Sequence, residues 1–132
     1  MAREERDEAR PQFPFEGLHV YQRAQEAWTA ALELAGADPL WEALEDEIRR
    51  AVLGIARATA RSRSNGGFST ELESARGALH AAAAITEQLA RRGAPVDGTL
   101  RGLLSDSSRM LGALIRNVAS GREEAVESEA VV

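Results

Sequence analysis

Apolar residues recur along this chain at alternating intervals of three and four, the spacing that lines one face of an α-helix. Four stretches carry the pattern. Residues 17–35 set Val20, Ala24, Ala27, Ala31 and Leu34 on one stripe, which Trp28, Leu32 and Ala35 widen. Residues 39–62 have the most regular register, with Trp41, Leu44, Ile48, Ala51, Ile55 and Ala58 in line and Leu40, Val52 and Thr59 beside them. Residues 68–92 offer Phe68, Leu72, Ala75, Leu79, Ala82 and Leu89. Residues 96–119 offer Leu100, Leu103, Leu104, Leu111, Leu114, Ile115 and Val118.

Breakers separate the stretches. Pro14 precedes the first, and Gly36-Ala-Asp-Pro39 divides it from the second, with Asp38 suited to the N-cap and Pro39 to the first helical position. Ser62-Arg-Ser-Asn-Gly-Gly67 is the most turn-like segment, and Ser69-Thr-Glu-Leu72 after it offers a capping arrangement. Gly93-Ala-Pro95 ends the third stretch. Helices of roughly 20–25 residues are about 30–37 Å long, and short connections make neighbours antiparallel. The pattern predicts an all-α fold, an up-down-up-down four-helix bundle over residues 13–120. Residues 1–12 read as a flexible charged arm and residues 121–132 as an acidic tail.

Composition sharpens this. Of 132 residues, 44% are hydrophobic, but 25 are alanine, so large core side chains are few. At about 25 cal/mol per Å², an alanine-rich interior stabilises weakly, and burial between copies would add to it. A homo-oligomer is therefore expected. There is no cysteine, which excludes disulfides, zinc fingers and thiol catalysis. The longest apolar run, residues 81–85, is far short of the roughly 20 residues a bilayer span needs. The charged first ten residues resemble no signal peptide, so a cytoplasmic protein without membrane contact is the expectation. A net charge of −5 argues against general attraction to nucleic acid.

Catalytic constellations are sparse. A di-iron bundle needs two Glu-x-x-His pairs, and this chain has one, Glu16 with His19, while His80 has Gly77 in the glutamate position. Both histidines read as surface or boundary residues. Asp38, Glu42, Glu45, Asp46 and Glu47 cluster where a helix begins, and acids there complement the helix dipole. Ser105, Ser107 and Ser108 belong to no nucleophile elbow and have no partnered histidine in the sequence pattern. All 16 basic residues are arginine, so no phosphate-loop lysine exists. No enzyme, cofactor or metal is expected.

The remaining signal is basic. From Ile48 to Thr70 there is no acid, while Arg49, Arg50, Arg57, Arg61 and Arg63 contribute five positive charges. At about 100° per residue, Arg50, Arg57 and Arg61 fall within about 40° of one line, opposite the Ile48/Val52/Ile55 side. Gly54 lies close to that line and is expected to leave it uncrowded. Such a row suits an acidic protein surface or successive phosphates, or it is the solvated outer face of a bundle.

Certain phrases carry a resemblance. Phe15-Glu-Gly-Leu-His-Val-Tyr21, Ile48-Arg-Arg-Ala-Val-Leu-Gly-Ile55, Ala75-Arg-Gly-Ala-Leu79 and Met110-Leu-Gly-Ala-Leu-Ile-Arg116 together resemble the bacterial four helix bundle protein family, first noted in intervening sequences of 23S rRNA genes. The accessory variability determinant of diversity-generating retroelements is a relative of that family. Gly54 stands where the family's Ile-Arg-Arg-Ala-x-x-Ser-Ile phrase has serine, and no glutamate follows Leu79. The resemblance implies an antiparallel bundle assembling into a ring, typically a homopentamer, without catalysis. It also implies, as an alternative, a nucleic-acid-binding accessory protein of a reverse transcriptase. The reading carried forward is an oligomeric scaffold that binds a protein partner through Arg49, Arg50, Arg57, Arg61 and Arg63.

Overall fold

The computed structural model describes residues 13–61 and 66–120. Among them are four α-helices, α1 (His19–Leu34), α2 (Leu40–Ala58), α3 (Gly67–Arg91) and α4 (Gly98–Ala119), and no strand. A 3₁₀ turn (Pro14–Gly17) precedes α1. Each helix packs on the two beside it in a closed square: α1 on α2 and α4, α3 on α2 and α4, with the α2–α3 seam the most extensive. No helix among the described residues is long and apolar enough to cross a membrane.

Local chemistry sets the helix ends. The first helix starts later than its apolar pattern predicts, because Leu18 is extended and Pro14–Gly17 closes on itself through the Leu18 amide donating to the Phe15 carbonyl at 3.1 Å. The Asp38 carboxylate accepts from the Leu40 amide at 3.0 Å, and Pro39 already has helical dihedrals. At α4 the Asp97 carboxylate accepts from the Thr99 and Leu100 amides, so the helix begins after Asp97 and not at Val96. The capping arrangement expected at Ser69–Leu72 does not form. Gly66, at φ +83°, opens α3, and the Thr70 hydroxyl donates back to its carbonyl at 2.9 Å. A left-handed φ there favours glycine.

The core follows the three-and-four spacing with one narrowing. Val20, Ala24, Ala27 and Ala31 of α1 face Leu44, Ile48, Val52 and Ile55 of α2, Phe68, Leu72, Leu79 and Leu89 of α3, and Leu100, Leu104 and Leu111 of α4, all buried. Leu32 and Ala35 do not widen the α1 stripe; both are exposed, Leu32 at 56%. The stripe of α1 is therefore nearly all alanine. Two buried hydroxyls are satisfied within their own helices: Thr86 donates to Ala83 and Ser107 to Leu103. Trp41 is buried, whereas Trp28 is partly exposed and donates its indole N–H to Glu45 at 3.0 Å.

Candidate functional site

The arginines singled out in the sequence do not form one free row. Arg57 and Arg61 reach across the α2–α3 seam to the same carboxylate, Glu71, at 3.5 and 3.4 Å. Arg49 turns the other way along α2, to Asp46 at 2.5 Å and Glu45 at 3.7 Å. Arg50 alone has no acid within ion-pair distance among the described residues. Arg63 lies outside the described residues. Gly54 is not an open gap beside the row. It is buried in the seam, where a Cβ would stand 3.4 Å from the Ala75 methyl and 3.7 Å from the Arg57 guanidinium. The glycine lets two helices approach, and the approach is what brings Glu71 within reach of Arg57 and Arg61.

What faces solvent on α2 is a mixed strip. Leu53, 44% exposed, lies three residues after Arg50 and four before Arg57, so helical spacing puts all three on one side. An apolar side chain thus sits between a cation without an acid partner among the described residues and one that shares its acid.

A second polar surface lies between α3 and α4. His80 Nε2 is 2.9 Å from the Ser108 hydroxyl, a partnership that the sequence pattern did not contain. The groove beside it, of about 490 Å³, is lined by His80, Arg101, Ser105, Ser108 and Arg109 among others. One turn away, Arg76 and Arg116 converge above Gly112. A Cβ on that residue would stand 3.4 Å from the Arg76 Cζ and 3.4 Å from the Arg116 Nη1. Neither arginine has an acid within ion-pair distance among the described residues.

The signal for this surface was a spacing of four on two successive helices. Arg76 and His80 step forward along α3 as Gly112 and Ser108 step back along α4, the register an antiparallel hairpin imposes. Sequence reading missed it because neither helix alone carries enough charge to draw notice.

Chemically, the His80–Ser108 pair is half of a nucleophilic apparatus. A histidine within hydrogen-bond reach could take a serine proton, but efficient acyl transfer also needs donors aimed at the developing oxyanion. Both residues sit in helix interiors, where backbone amides are spent on carbonyls of the preceding turn. No carboxylate among the described residues orients His80. Nor do three or more His, Asp or Glu side chains converge there as a metal cluster would need, among the described residues. Of the acids at the start of α2, Glu45 is engaged by Trp28 and Arg49, and Asp46 by Arg49. The Asp38 carboxyl is held below its ordinary pKa, first by the Leu40 amide and then by Arg92, which lies 2.7 Å away.

No protein-family model, curated protein or solved structure matches this chain.

Proposed function

We propose that this protein is a non-enzymatic scaffold that assembles with copies of itself and holds an acidic protein partner on the outward side of α2. The observation that carries the reading is Leu53, exposed between Arg50, which has no acid partner among the described residues, and Arg57, which shares Glu71 with Arg61. A partner segment presenting an apolar side chain flanked by carboxylates would bury the leucine and complete both arginines. Arg49 contributes less, since its charge is already met by Asp46.

Self-assembly is supported by the alanine stripe of α1 and by Leu32, more than half exposed on the same helix. Absence of catalysis is supported by the helix-interior setting of His80 and Ser108, which leaves no backbone donors for an oxyanion. The nucleic-acid alternative has less behind it, because three of the four described arginines that would track phosphates are turned toward acids of their own chain.

Light scattering on the purified protein should give a multiple of 14.2 kDa. A mass of one chain overturns the assembly. Affinity capture followed by mass spectrometry should find a partner that Arg50→Glu with Leu53→Asp loses and His80→Ala keeps. If the double variant captures the same partner as the wild type, the α2 surface is not the binding site.

A further inference from the structure

We propose that Arg76 and Arg116, drawn together over Gly112, form a binding site for a phosphomonoester group. Around the point where a Cβ on residue 112 would stand lie Arg76 Cζ at 3.4 Å, Arg76 Nη2 at 3.5 Å and Arg116 Nη1 at 3.4 Å. The two guanidinium groups come from neighbouring helices and approach one another with no carboxylate of the described residues between them. Most other arginines on the described residues have one: Arg23, Arg49, Arg57, Arg61, Arg91, Arg92 and Arg109 all lie within ion-pair distance of an acid. Adjacent like charges repel, so the arrangement is completed by an anion.

The charge and shape of the site specify which anion. A guanidinium is a planar fork that matches phosphate oxygens two at a time. A phosphomonoester carries roughly −1.5 to −2 at pH 7, which balances two such groups, whereas a phosphodiester carries one charge. Gly112, buried and without a side chain, lets both guanidinium groups close over its backbone and so brings the two forks near one another. Arg76 also lines a surface cavity of about 260 Å³ on α3, together with Glu73, Gly77 and His80. His80, held by Ser108 at 2.9 Å, adds a further ring nitrogen one turn from Arg76. Gly77 leaves the cavity wall open, with nothing within 4 Å of where its Cβ would lie. Glu73 in the same cavity opposes an incoming anion and limits affinity.

Calorimetric titration of the full chain with phenyl phosphate tests this, alongside amide chemical shifts. Saturable binding is expected, with shifts centred on Gly77 and Gly112. Arg76→Gln and Arg116→Gln should each weaken binding about tenfold or more. Gly112→Leu keeps both cations but pushes their guanidinium groups off the glycine, and should weaken it similarly. Arg50→Gln makes the same change in net charge on α2 and should leave binding unaltered, while Glu73→Gln should tighten it about twofold. The wild-type shift map decides the matter if a variant fails to fold. The proposal is overturned by no saturation at about 10 mM ligand, by shifts centred on α2, or by equal loss in Arg50→Gln. It is equally overturned if dimethyl phosphate, or an oligonucleotide without terminal phosphate, binds as well as phenyl phosphate.

Discussion

Arginines on the α2–α3 seam and arginines on the α3–α4 surface sit in opposite electrostatic company. At the first, Arg57 of α2 and Arg61, just past its end, share Glu71 of α3. At the second, Arg76 and Arg116 lie together with no acid of the described residues between them. Each region has a glycine at its centre, and the glycines differ as well. Gly54 faces the methyl of Ala75, an atom fixed to a neighbouring helix, whereas Gly112 faces the ends of two long side chains. The same residue type thus brings two helices together in one place and lets two guanidinium groups lie over the backbone in the other. Counting arginines along a chain measures charge supplied, and only the acids that meet them determine how much remains for a partner.

The largest effect should come from exchanging the two glycines' roles. Gly54→Leu must push α2 off α3 and should cost about 2–3 kcal/mol, read from chemical denaturation. Gly112→Leu displaces only guanidinium groups and gains helix propensity, so its stability should stay within about 1 kcal/mol of the wild type. Equal losses at the two positions would erase the distinction between seam and surface.

A smaller effect is expected from the two glutamates. Glu71→Gln removes the acid shared by Arg57 and Arg61 and should lower stability by about 0.5–1 kcal/mol at low salt, less as ionic strength rises. Glu73→Gln, which breaks no ion pair, should leave the thermal midpoint in place. Should the two variants melt alike, Glu71 is not the acid that neutralises Arg57 and Arg61.

The smallest change concerns a reference point outside both regions. The Leu40 amide and Arg92 depress the Asp38 carboxyl below its ordinary value of 3.8. In the folded chain Asp38 therefore stays charged to lower pH than in the unfolded one. The stability it adds is complete above the unfolded value and is lost as pH falls through the folded one. The wild type should accordingly exceed Asp38→Asn in melting temperature by a constant margin above about pH 5, and the margin should close in more acid solution. A margin indifferent to pH would show that neither the Leu40 amide nor Arg92 favours the charged carboxylate.

Helix number and core membership were legible in the sequence because periodicity is a local property. Ile48, Leu72, Leu79 and Leu111 are buried where the three-and-four spacing put them, since one face of any helix must leave water. Helix ends were less legible where a side chain competes for backbone amides, as Asp97 does at α4. The exposure of Leu32 was hidden too, because a stripe's width depends on how closely neighbouring helices approach.

The fate of each charge depended on contacts between helices, which periodicity within one helix cannot encode. Arg57 and Arg61 were visible as a pair in the sequence, but their acid, Glu71, lies on the next helix across a turn. His80 and Ser108 are 28 residues apart, and nothing joins them until α3 and α4 take up their register. The chain's own pattern determined four amphipathic helices. Only packing decided which arginines were neutralised and which were left facing one another, because side-chain electrostatics acts over a few ångströms of space and takes no account of distance along the chain.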